Sequence, residues 1–215
     1  MTQFPSAGHM SFQDHAGAQD YIRSLLPHVQ ADYCHPSLGS KVKIQVEGNP
    51  RYFGDLVLRP STEDIYSMRE TTRLNLGSAD LMVYLVNQCD HLPDCYHGIA
   101  FRSTVCRSSY DSRKQSINTI HNTAHHGSRL LTARIIAHEM GHNFGMWHDD
   151  NDRHKGKGCE NSGIMSSVAN KWSTCSQADF HAHYLKYKYD WCLERKFLNA
   201  IIISNKLQPW YSSNF

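Results

Sequence analysis

The chain has no run of eighteen apolar residues, so no segment of it reads as a transmembrane helix. An excess of one charge is also missing. Its 22 basic and 20 acidic residues leave a formal net charge of +2, which argues against nucleic acid or a charged membrane surface as partner. Met1 to Met10 hold no basic segment followed by an apolar one, so no secretory signal is expected at the start. CxxC pairs and internal repeats are absent as well, which excludes zinc-ribbon and solenoid readings. What remains is ordinary for a folded domain: 215 residues, 40% hydrophobic and 20% charged, enough for one sizeable core. Seven cysteines scattered through loops read as an extracellular disulfide framework with one left over. Such a framework without a signal suggests a fragment or an incomplete gene model.

The most informative stretch is His138-Glu139-Met140-Gly141-His142-Asn143-Phe144-Gly145-Met146-Trp147-His148-Asp149, which reads HExxHxxGxxHD. Residues four apart share a helix face, so His138 and His142 can aim their imidazoles at one point. Gly145 can adopt the positive φ that ends a helix and turns the chain back, which brings in His148 as a third ligand. Three protein ligands leave the fourth position of a tetrahedral zinc open, as in catalytic rather than structural sites. Glu139 follows the first ligand and is placed to act as general base and then general acid.

The remaining chain is expected to build a mixed α/β domain over residues 16–196, with a disordered lead at 1–15 and an atypical tail at 197–215. Ile22, Leu25, Leu26 and Val29 fall at helical spacing, with Pro27 expected to kink or end that helix, and Asp32 to Gly39 read as a turn. Lys41 to Glu47 alternates as a half-buried strand. Ser61, with Asp64 three residues on, marks a helix start, with Ile65, Met68 and Leu74 as its buried face and Gly77 as its stop. The apolar run Leu81 to Val86 reads as a central strand covered on both faces. Ile99 to Val105 is expected as a further short strand, and Ser116 to Ile120 as an edge strand beside the cleft. Ser128 is expected to open the motif helix, packed through Leu131, Ile135, Ile136 and Met140. Gln177 to Leu193 reads as a last helix, packed through Phe180, Tyr184 and Leu185.

The motif, followed by Ser162-Gly163-Ile164-Met165-Ser166, resembles the metzincin zinc proteases, whose methionine turn places a residue such as Met165 beneath the metal. Asp149 after the third His resembles the adamalysin (reprolysin) branch, where that Asp is structural. Within it the chain is most similar to the ADAM proteases with thrombospondin motifs. The carrying stretches are His35-Pro36-Ser37-Leu38-Gly39, Gly98-Ile99-Ala100, Thr104-Val105-Cys106, Trp172-Ser173-Thr174-Cys175-Ser176 and Trp191-Cys192-Leu193. The resemblance covers Ala18 to Lys196.

That resemblance implies a metzincin fold with a mostly parallel mixed sheet, one catalytic zinc, and the pairs Cys89–Cys95, Cys106–Cys192 and Cys159–Cys175, leaving Cys34 unpaired. Closing the long Cys106–Cys192 loop would contribute about 4 to 5 kcal/mol in the chain-entropy treatment. The sequence departs from the family in several places. The family's first strand, before the helix at Ala16, is not expected in the short polar lead; Gly163 stands where a cysteine is often found; and Phe197 to Phe215 resembles no disintegrin-like or thrombospondin module. A structural calcium near the final cysteine is raised by the family, but Glu194, Arg195 and Lys196 after Cys192 speak against it.

The implied function is zinc-dependent hydrolysis of peptide bonds in extracellular-matrix or secreted proteins. An extended peptide would lie along the edge strand, and residues Ser166 to Lys171 would wall a specificity pocket. Two other readings compete. A truncated, poorly active relative could serve as a substrate- or inhibitor-binding decoy, and His121, His125 and His126 beside the motif raise a histidine-rich metal-binding protein.

Overall fold

The computed structural model describes residues 15–47, 51–53, 58–87, 96–105, 107, 111–121, 126–160, 162–166, 170–187 and 198–205. The expected disordered lead, apart from His15, lies outside these residues. Helix α1 spans His15–Cys34, and two short strands follow, β1 (Ile44–Val46) and β2 (Arg51–Phe53). Helices α2 (Thr62–Ser67) and α3 (Arg69–Asn75) lead to β3 (Leu81–Asn87), β4 (Gly98–Ala100) and β5 (Gln115–Ile120). Helix α4 (His126–Asn143), helix α5 (Thr174–Tyr187) and strand β6 (Leu198–Asn205) complete the order.

The strands form one six-stranded mixed sheet ordered β1-β6-β3-β5-β4, with β2 also pairing with β6. Every pairing is parallel except β4 with β5. Strand β3 lies inside, as expected, and its alternation divides the core. Leu81, Val83 and Leu85 pack with α1 and α4, while Met82, Tyr84 and Val86 pack with Ile65, Met68 and Leu76 from the α2–α3 side. Burial on both faces explains why its sequence is a continuous apolar run.

Four expectations are corrected. Helix α1 runs through Pro27 to Cys34; Pro27 is on the exposed side, while Ile22, Leu25, Val29 and Tyr33 are buried, so core packing outweighs one lost hydrogen bond. Leu74 is 68% exposed, and Thr72 and Leu76 take its place in the core. Leu131, Tyr184 and Leu185 are also exposed, and the last helix instead buries Cys175, Ser176, Phe180 and His183. Ser116–Ile120 is no edge: β5 is buried along its whole length between β3 and β4, and β4 has the outer place.

The largest difference concerns the tail. Leu198–Asn205 forms β6, which pairs with β1 on one side and β3 on the other. Set apart by sequence, this segment is hydrogen-bonded on both sides as an internal parallel strand. The motif helix also begins two residues before Ser128, at His126.

Candidate metal centre

Helix α4 carries the first two histidines, and its C-terminal turn delivers the third. Gly145, at φ +92°, donates its N–H to the His142 carbonyl at 2.8 Å, and Met146 donates to the Gly141 carbonyl at 3.0 Å. This is the Schellman pattern, which needs a residue that tolerates positive φ. An added Cβ at Gly145 would also meet Ser103 Oγ at 3.0 Å and His183 Cβ at 3.2 Å. The chain then reverses and places His148 against the helix.

The ligating atoms of His138, His142 and His148 all lie within 4.8 Å of one another. His148 Nε2 stands 3.0 Å from His142 Nε2 and 3.2 Å from His138 Nε2. Their backs are tied down: His138 Nδ1 lies 2.8 Å from the Ile164 carbonyl, and His142 Nδ1 lies 2.9 Å from the Met146 carbonyl. A carbonyl can only accept, so both Nδ1 atoms carry the proton and both Nε2 atoms present lone pairs. Burial lowers the pKa of His138 to about 4 and that of His142 to about 3, which keeps both rings neutral. Lone pairs converging at 3.0–3.2 Å repel unless a cation lies between them. Three ligands 2.0–2.1 Å from a tetrahedral zinc stand roughly 3.4 Å apart, so the cluster fits zinc in size, charge state and donor type.

Glu139 is buried beside the cluster, and burial raises its pKa to about 8. Its Oε2 has no hydrogen-bond partner among the described residues. Gly98 on β4 lies directly against this carboxylate. The edge strand, Glu139 and the histidines therefore share one wall of the site.

A second layer holds the helix in register. Tyr33 donates its hydroxyl to the Ala137 carbonyl at 3.0 Å and packs against Phe144 and Trp172. Asn143 donates Nδ2 to the carbonyls of Phe101 and Gln115 and to Thr104 Oγ1, tying the helix end to β5 and to the turn after β4. Ser103 and Thr104 return backbone N–H groups to the carbonyls of His142 and Asn143. Nothing in residue type or spacing marks Asn143 or Gly98 for these roles. An Asn in the last turn of a helix is a hint only once the neighbouring turn is known.

Asp149 is fully buried; Ser173 and Ser176 donate hydroxyls to its Oδ1, and its own N–H donates to the Met165 carbonyl. It thus links the third histidine to α5 and to the Met165 turn. Gly163 leaves room for it, since a Cβ there would sit 2.6 Å from Asp149 Oδ2. Met165 is buried in a 3-10 turn, Ile164–Ser166, and its Sδ lies 2.7 Å from where a Cβ on Gly141 would stand. Cys159 and Cys175 form a disulfide, and Cys34 is free. The expected pairs Cys89–Cys95 and Cys106–Cys192 lie outside the described residues, as do His125, much of the Ser166–Lys171 wall, and the residues after Cys192 raised for calcium. His121 is buried beside His97 and does not join the cluster.

Sequence comparison agrees with this geometry. Snake venom metalloproteinase trimerelysin-2 of Protobothrops flavoviridis is 27% identical over 140 residues, covering 59% of this chain and 66% of that protein. Snake venom metalloproteinase acutolysin-C of Deinagkistrodon acutus is 33% identical over 111 residues, covering 51% and 25% respectively. A disintegrin and metalloproteinase with thrombospondin motifs 1 of Bombyx mori is 26% identical over 208 residues, covering 87% and 18%. The aligned regions thus span less than two thirds of each of these relatives. Residues 63–196, more than half of the chain, match the family described as Reprolysin (M12B) family zinc metalloprotease. The chain, with its triad of histidines fitted for zinc, belongs to the reprolysin (M12B) family of zinc metalloproteases.

Proposed function

We propose that the chain hydrolyses peptide bonds of secreted or extracellular proteins, with His138, His142 and His148 as zinc ligands and Glu139 as the proton-transfer group. The observation that carries this reading is a buried Glu139 carboxylate, whose Oε2 has no partner among the described residues, on the same helix as two of three converging imidazoles. Bound zinc supplies Lewis acidity that polarises a peptide carbonyl and acidifies water. The chain's own residues do the rest. Glu139 takes a proton from the attacking water, whose oxygen bonds to the carbonyl carbon, and passes it to the amide nitrogen as the C–N bond breaks.

The substrate pairs through its main chain with the outer edge of β4, Gly98–Ala100. This replaces Ser116–Ile120 as the docking edge. Met165 forms the floor under the centre, and Asp149 holds the third ligand to α5. The names of the similar proteins, snake venom metalloproteinases and a metalloproteinase with thrombospondin motifs, support an extracellular setting.

The test is zinc-dependent cleavage of a quenched peptide library by the full chain. Turnover that a chelator stops, and that Glu139→Ala lowers by about 10²–10⁴-fold while zinc stays bound, supports the proposal. A folded, zinc-loaded chain that cleaves nothing would sink it and favour the decoy.

A further inference from the structure

Beyond the metal ligands, one cationic side chain is held at the end of β4 and makes no ion pair among the described residues; the anion that acts on it, Asp179, is shared with Arg153 and His154. Arg102 follows Gly98–Ala100 after Phe101, and its Cζ lies 3.5 Å from the ring centroid of Trp147. Trp147 is the residue before His148, and its backbone N–H donates to Asp179 Oδ2 at 3.0 Å, which anchors the main chain there. Next to Arg102, the Ser103 N–H donates to the His142 carbonyl at 2.8 Å. Arg102 is therefore tied to two zinc ligands through their neighbours and through the backbone.

Nearby acids are already engaged. Asp179 faces Arg153 at 3.8 Å and His154 at 3.2 Å, and Asp111 faces Arg107 and Arg113. No ion pair among the described residues involves Arg102. Arg153 also lies over Trp147, 5.4 Å from its centroid, so the patch is positive on balance. Stacking on an indole restrains a guanidinium without using its N–H donors, which no other group among the described residues takes and which suit a planar carboxylate with two parallel bonds.

We propose that Arg102, held on Trp147, selects substrates with an Asp or Glu side chain on the Arg102 side of the scissile bond. This rests on the protease reading above. Gly98 lies against Glu139, so the cleaved bond belongs near that residue, and four residues of extended chain separate it from Arg102 by at most about 13 Å. The acidic side chain thus falls within about three residues of the cleavage point. A peptide antiparallel to β4 would present its N-terminal part there.

The experiment is mass-spectrometric mapping of cleavage sites in a mixed peptide library by the full zinc-loaded chain, compared with Arg102→Gln and Arg102→Glu. Zinc content and melting temperature are measured alongside to confirm that each variant is intact. The expected result is a five- to ten-fold enrichment of Asp and Glu at one position upstream of the cut. It should vanish in Arg102→Gln and turn toward Lys and Arg in Arg102→Glu. Arg102→Lys, which keeps the charge but not the fork, should retain a weaker preference of the same sign. Cleavage without acidic enrichment, or enrichment that persists in both charge-removing variants, overturns the role of Arg102 and leaves the protease reading standing. No cleavage by the intact wild-type chain overturns both.

Discussion

A Cβ built on Gly98 would stand 2.5 Å from Oε1 of Glu139 and 2.6 Å from its Cγ. The edge strand and the motif helix are therefore in contact through a residue without a side chain, at the carboxylate proposed above to transfer the proton. Gly98→Ala should push that carboxylate aside. A displacement near 1 Å costs about 10²-fold in rate, so kcat should fall by that order while KM and zinc content change little. Kinetics with metal analysis of the same preparation checks this; an unchanged kcat would mean that Glu139 relaxes without loss.

His183 offers a pH prediction away from the metal. It is buried, lies 3.1 Å from the Val105 carbonyl through Nε2, and packs beside Phe144. Burial lowers its pKa to about 4; the Val105 carbonyl opposes this, and the charges of Lys186 and Arg107 add to it. Unfolded, the ring titrates near 6.5. Above pH 6.5 both states hold it neutral and it costs nothing. As pH falls from 6.5 toward 4 the unfolded state gains the proton first, so stability drops by of order 3 kcal/mol across that window. Urea unfolding of the zinc-loaded chain at pH 7 and pH 5 should show a smaller loss for His183→Gln than for wild type.

The Cys159–Cys175 bridge closes a loop with a sequence separation of 16 and joins the loop before the Met165 turn to the start of α5. In the chain-entropy treatment a loop of this size contributes about 3 kcal/mol. Replacing both cysteines with serine should lower unfolding free energy by about that amount. The change should appear in the denaturation midpoint more than in the slope.

Strand β6 gives the sharpest test of the architecture. Deleting residues 198–205 leaves β1 and β3 without the neighbour they share. Unpaired internal edges are costly and prone to association, so the shortened chain should lose its cooperative unfolding transition. Near-UV circular dichroism and thermal melts read this directly, and a native-like melt would show that the sheet holds without β6.

Much of the site was legible before the fold. The convergence of His138, His142 and His148, with Gly145 at the turn, could be read because helix periodicity and a positive-φ turn are local consequences of spacing. The Ser61 cap, whose Oγ accepts the Asp64 N–H at 3.1 Å, and the buried run at β3 were legible for the same reason. Leu74, Leu131, Tyr184 and Leu185 were misplaced because residue type alone ignores the phase that neighbouring elements select.

The sequence by itself determined the histidine cluster: three histidines, with a glutamate beside the first, at separations that one helix turn and one reversal must bring together. Only the tertiary structure decided which strand forms the cleft edge, that β6 enters the sheet, that Gly98 rests on Glu139 and that Arg102 lies on Trp147. Each of these joins residues far apart in the chain or across separate elements. Such contacts arise from how layers pack, a property of the whole core that no local spacing encodes.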